Sequence, residues 1–156
     1  MRPQAQRGYT YIGLLILVAV TATLSAGLLR TGAAVQRHGA EDALLEAGSE
    51  LANALYTYSL ATPQGQNPRP QRMEDLLRDP RFPKLTVRHL RRVPLDPMTG
   101  QARWGELRSE TAPGIDAFYS LSDLQAVRTN FAAKYADFAD KRYYREWQFE
   151  EGLAQR

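Results

Sequence analysis

The chain is 156 residues long, with 20 Lys and Arg against 17 Asp and Glu, a net charge of +3, two histidines and no cysteine. Those totals exclude a disulfide framework, a thiolate nucleophile and any metal site built from cysteine or from clustered histidine. Acids are interleaved with the basic residues, and the densest basic run, Arg88-His89-Leu90-Arg91-Arg92, is too small for the organised face that nucleic acid requires.

Met1–Arg30 opens with a polar, basic leader ending in Arg7-Gly8. Tyr9–Leu29 follows without a charged residue, and Arg30 closes it. The 21 residues of this apolar run are about what a helix needs to cross a hydrocarbon core of ~30 Å at ~1.5 Å per residue. One reading is a cleaved secretory signal, whose apolar region is shorter, about 7–15 residues. Thr23-Leu24-Ser25-Ala26 would be a tolerable cleavage site. A second reading is a signal anchor. Arg2 and Arg7, with no acid nearby, then place the N-terminus in the cytoplasm and the remainder outside.

A third reading rests on Arg7-Gly8 followed by Tyr9-Thr10-Tyr11-Ile12-Gly13-Leu14-Leu15. This junction resembles the class III signal of type IV pilins and type II secretion pseudopilins. In that family a short basic leader ends in Gly, and an aromatic residue, Thr and an apolar helix follow. The resemblance implies that a prepilin peptidase cuts after Gly8, that Gly8, Tyr9 and Thr10 form the processing site, and that Tyr9 becomes the N-methylated first residue. The sequence departs from the family at the fifth mature residue, usually Glu and here Gly13. In the family that carboxylate pairs with the amino terminus of a neighbouring subunit, and its absence marks minor subunits, notably the one at the filament tip. The resemblance therefore implies a minor subunit. Small residues at Gly13, Ala19, Ala22, Ala26 and Gly27 would permit close helix–helix approach.

Thr31–Ala61 is expected to continue the helix, with an alternative break near Thr31-Gly32. Leu44, Gly48, Leu51, Leu55 and Tyr58 recur at spacings of four, three, four and three, one face of a 3.6-residue period. Glu41, Asp42, Glu46 and Glu50 are read as lying off that stripe. Thr62–Gln71, rich in Pro and Gly, ends the helix. Arg72–Arg78 is a short helical segment stopped by Pro80 and Pro83. Leu85-Thr86-Val87 is strand or turn, and Arg88–Arg92 a solvated edge.

Leu95–Gly100 is a turn. Asp96 caps its own backbone, Pro97 presets φ near −65°, and Gly100 takes the left-handed position. Trp104 falls in a predicted strand over Arg103–Leu107, and Gly114–Leu121 alternates as a second. Asp96-Pro97, Trp104-Gly105 and Ser120-Leu121-Ser122-Asp123 extend the resemblance to pseudopilin-like head domains. A calcium loop at Asp116 and Asp123 is too poor in oxygen ligands, so no metal site and no cofactor is assigned, and Asp123 is read as a turn or cap residue. The aromatic tail, with Phe131, Tyr135 and Phe138 at helical spacing and Trp147 and Phe149 alternating, reads as core that seals the tail onto the sheet.

No nucleophile–base pair, phosphate loop or metal-ligand motif is present, so the chain is not read as an enzyme. The expected fold is α+β: a long N-terminal helix, membrane-spanning in its first half, with a small antiparallel-sheet head of three or four strands. The expected divisions are a cleaved leader at 1–8, a transmembrane and filament-core helix at 9–30, its amphipathic continuation at 31–61 and a periplasmic head at 62–156. The resemblance implies a structural subunit of a secretion pseudopilus or type IV pilus at the bacterial inner membrane. Its partners would be the membrane, other pilin-like subunits, prepilin peptidase and assembly-platform proteins, with no nucleic acid. The alternative is a membrane-anchored extracytoplasmic binding domain with no filament role.

Overall fold

The computed structural model describes residues 7–109 and 113–155; for residues 7–10 and 22–35 it describes the helical backbone alone. Helix α1 runs Arg7–Leu60. By backbone proximity the chain divides into two compact units, Met1–Arg37 and His38–Arg156.

The fold class expected from the sequence is corrected at its membrane-spanning half. Among the described residues no helix is long and apolar enough to cross a membrane. What the described residues form instead is a set of α-helical and 3₁₀ segments with a three-stranded antiparallel sheet.

In the second unit the apolar stripe of α1 is the floor of the core. Leu44 and Leu51 are fully buried, and Leu55 and Tyr58 nearly so. Gly48 lies on the same stripe because the Phe149 ring rests on it: a Cβ there would overlap the ring carbons. After α1, the short helix α2 (Glu74–Leu77) buries Leu76. Its Leu76 carbonyl accepts both His89 N–H and Leu90 N–H at 2.9 Å. Those bonds hold 89–90 against α2 and turn His89 and Leu90 inward, while 85–88 is irregular backbone rather than strand. The solvated edge expected over Arg88–Arg92 therefore holds only for its three arginines.

The sheet has the order β1-β2-β3, with β1 (Gly105–Arg108), β2 (Ile115–Tyr119) and β3 (Phe149–Glu150). Gly105 faces Tyr119 and Leu107 faces Ala117, then a register shift at Leu107/Arg108 sets Arg108 opposite Ile115; on the other edge Phe118 faces Phe149. Trp104 precedes β1 rather than lying within it. Phe118, in a position that simple alternation would turn outward, is fully buried, as are Trp147 and Phe149. The helical spacing at Phe131, Tyr135 and Phe138 becomes a 3₁₀ segment, Ala133–Phe138, with non-helical φ/ψ at Tyr135. Phe138 stacks on Trp147 with centroids 5.5 Å apart, and Phe131 meets Trp147 edge-on at 5.4 Å.

Candidate assembly surface

The candidate surface of the first unit is apolar without being amphipathic. Tyr11, Ile12, Leu14, Leu15, Ile16, Leu17 and Val18 are each at least half exposed. Consecutive residues of a helix point in directions about 100° apart, so this run is apolar on every side. A Cβ added at Gly13 would meet no atom within 4 Å, and Ala19 is exposed. Residues 1–6 of the proposed leader lie outside the described residues. Gly8, Tyr9 and Thr10, and Ala22, Ala26 and Gly27, are inside the backbone of α1, with their side-chain surroundings outside the described residues.

The remaining sequence-selected residues are parts of the head's frame. Asp96 is fully buried, and its carboxylate accepts Met98 N–H at 2.9 Å, the Thr99 hydroxyl at 3.1 Å and the Ser120 hydroxyl at 2.7 Å. Gly100, at φ 71°, donates its N–H to the Asp96 carbonyl at 2.7 Å, and Pro97 occupies the bend between them. Trp104 donates its indole N–H to the Pro94 carbonyl at 2.9 Å. Trp147 is fully buried and, among the described residues, its indole N–H has no acceptor. Asp116 pairs with Arg69 at 2.6 Å and the exposed Asp123 with Arg145 at 2.6 Å. The turn role expected of Asp123 belongs to Ser122, whose hydroxyl accepts Leu124 N–H at 3.3 Å. Among the described residues no group of three or more acids and histidines is placed to hold a metal ion.

Two polar clusters escaped the reading of the sequence. The first is Glu41, fully buried rather than off the stripe. It precedes Leu44 by three residues, so it continues the same periodic face. Its Oε1 accepts Val127 N–H at 2.8 Å, Arg128 N–H at 3.0 Å and the Tyr144 hydroxyl at 3.0 Å. Its Oε2 makes no hydrogen bond of good geometry but lies 3.3 Å from His38 Nδ1.

The second cluster closes the C-terminal end of α1. Arg81, with its side chain 8% exposed, donates Nη2 to the Asp79 carboxylate at 2.6 Å and to the Tyr58 carbonyl at 2.8 Å. Its Nη1 donates to the Thr62 hydroxyl at 2.6 Å, and the guanidinium lies 3.5 Å from the centre of the Tyr58 ring. A cation on the last carbonyls of a helix satisfies acceptors that have no intrahelical donor. Burial pushes the Asp79 carboxyl up, but hydrogen bonds from the Arg81 side chain, the Arg81 backbone and His89 outweigh it and hold the group below the usual aspartate value. Burial raises the Tyr58 phenol, with Arg81 opposing and Asp79 and Asp75 adding to the rise.

Asp79, His89 and Thr57 form a chain of contacts at 3.2 Å and 3.1 Å, superficially like an acid–base–hydroxyl relay. Its chemistry is otherwise. Asp79 and the His89 side chain are sealed from solvent, and the Thr57 hydroxyl donates to the Ala54 carbonyl at 3.2 Å. A hydroxyl whose proton is committed to the helix, beside an acid and a histidine that are both buried, is a poor nucleophile.

No family model, curated protein or solved structure matches the chain.

Proposed function

We propose that this chain is a minor pilin-like structural subunit of a type II secretion pseudopilus or a type IV pilus, assembled through its N-terminal helix. The observation that carries the reading is the junction Arg7-Gly8-Tyr9-Thr10 placed directly before an apolar helical run exposed on every side. A surface of that kind leaves its apolar area in water unless other helices cover it. Packing against like helices suits a run with small residues at Gly13 and Ala19, because backbones approach closely there. Gly13 in the place of the family's usual Glu favours a minor position. The partners are other pilin-like subunits, prepilin peptidase and the assembly platform, and the work is assembly rather than turnover.

The test is mass spectrometry of the N-terminus from cells with and without the peptidase. The reading expects a chain beginning at methylated Tyr9 only when the peptidase is present. Met1 retained in both would overturn it.

A further inference from the structure

The backbone between Asp79 and Val87 is a closed loop. Asp79 N–H donates to the Val87 carbonyl at 3.0 Å and forms its neck, and Leu85 N–H donates to the Phe82 carbonyl at 3.1 Å and makes 82–85 a β-turn at its tip. Pro83 takes the second position of that turn, where its fixed φ suits the bend. Arg81 fastens the loop to the buried Asp79 and to the Tyr58 carbonyl at the end of α1. The tip is apolar and turned outward. Leu85 is 68% exposed and Pro83 is exposed, and with the half-buried Phe82 they line a shallow concavity of about 200 Å³.

Charge is concentrated around this tip. Residues 80–95 hold five Lys and Arg and no acid, and the acids that bound the segment, Asp79 and Asp96, are buried and engaged. Arg81 is committed to Asp79, which leaves Lys84, Arg88, Arg91 and Arg92 exposed and, among the described residues, without an ion pair. On the flank the exposed Glu74 shares a hollow with Arg72 and Arg78, so the basic sign persists there. Residues 69–92 carry eight Lys and Arg against three acids in a chain of net charge +3, so the remainder of the chain is net acidic.

We propose that this loop is a peripheral docking element for an anionic phospholipid surface. Pro83 and Leu85 enter the headgroup region, and Lys84, Arg88, Arg91 and Arg92 lie over the phosphates. Charge and form select that partner together. Four cations with no acid among them call for an anionic partner. They flank a turn whose apolar residues face solvent, a form that a bilayer accepts without a matching cleft, because Lys and Arg stems lie in the interface while their heads reach phosphate. An acidic protein segment would answer the cations alone; the bilayer answers the leucine as well. The inference goes beyond the proposed function and uses no part of the leader or of the apolar run.

The full chain has no cysteine, so an environment-sensitive fluorophore can be placed on Thr86→Cys, at an exposed position of the loop. A second label on Asp123→Cys, where the side chain is 81% exposed, marks another part of the head. With vesicles containing phosphatidylglycerol the loop label is expected to shift to the blue, and with pure phosphatidylcholine to emit as in water. The label on Asp123→Cys should emit as in water with both. Because the readout is local to the loop, it is blind to whether α1 enters the bilayer, so N-terminal processing and loop docking succeed or fail separately. Leu85→Asp should abolish the shift. Arg91→Glu with Arg92→Glu should cut the ratio of lipid-seated to free label at least about tenfold, at about fivefold per lost cation. The absence of a shift on the anionic vesicles would overturn the proposal, as would an equal shift on neutral vesicles, an equal shift at Asp123→Cys, or indifference to the two arginine changes. A response to soluble polyglutamate with none to vesicles would give the surface to an acidic protein and overturn it too.

Discussion

Glu41 and Tyr144 lie 103 positions apart in sequence, yet the Tyr144 hydroxyl donates to Glu41 Oε1 at 3.0 Å and both side chains are at 0% exposure. The same oxygen takes the backbone N–H groups of Val127 and Arg128. One helix carboxylate thus ties a loop and the tail to α1. A carboxylate out of water is tolerable here because three donors replace its hydration.

Glu41→Ala strands those three donors and should destabilise the head by about 3 kcal/mol, whereas Tyr144→Phe removes one donor and should cost about 1 kcal/mol. In the double variant the losses should fall short of additive by about 1 kcal/mol, since the pair interacts directly. Urea unfolding followed by tryptophan fluorescence reads all three. Strict additivity would mean that the bond contributes nothing.

The contact between Gly48 and Phe149 gives a second prediction. Any Cβ at position 48 collides with the ring, and neither the helix backbone nor a ring packed on Phe138 and Trp104 can easily move. Gly48→Ala should therefore destabilise by about 2 kcal/mol, although Ala is the better helix former by about 1 kcal/mol. Combining it with Phe149→Leu should cost less than the two single changes together, because Leu vacates the space the new methyl needs. Thermal unfolding of the four proteins decides it. A stabilised Gly48→Ala would show that the ring yields.

How much of this was legible beforehand depends on the range of the interaction. The stripe from Leu44 to Tyr58, the Asp96–Gly100 turn and the two longer strands follow from local periodicity and turn chemistry, and the structure has them within a residue or two. Glu41 was readable from its three-residue step to Leu44, but a charged residue on an apolar stripe is ordinarily discounted. Arg81 and His89 gave no local sign. Their burial depends on Asp79, Thr57, Thr62 and the end of α1 converging from separate segments. Phe118 shows the same limit: alternation predicts one buried face, while Phe118, on the other face of β2, is buried in the core cluster as well. The apolar run at the front was legible as composition.

Asp79 makes stability depend on pH in a defined window. Its carboxyl titrates lower in the folded chain than the ordinary 3.8. The folded state therefore holds its proton less tightly than the unfolded state. The contribution is complete above pH 3.8 and is lost as pH falls through the folded value. Asp79→Asn removes the buried anion beside Arg81 and should cost about 3–5 kcal/mol at neutral pH, because a guanidinium with an 8% exposed side chain is left without its counter-charge. Below pH 3.8 the gap between wild type and Asp79→Asn should narrow. Urea midpoints at pH 7, 5 and 3 measure it, and a gap constant across the three would remove Asp79 from the acid response.

Gly13 separates the fold of the single chain from its assembly. Among the described residues a Cβ there meets nothing within 4 Å outside the neighbouring helix backbone, so Gly13→Leu should leave the head's unfolding unchanged. It should also favour the local helix by about 0.8–1 kcal/mol, the usual difference between glycine and a good helix former. If α1 packs on like helices at this level, a leucine forces the backbones apart and forfeits close contacts that nothing else replaces. The expected result is a head with wild-type thermal stability and a several-fold loss of crosslinking from a photoreactive residue at Leu17 to other pilin-like subunits. Gly13→Ala, the smallest change, should fall between. Crosslinking at full strength in Gly13→Leu would show that this side of the helix faces no close neighbour and would remove Gly13 from the assembly surface.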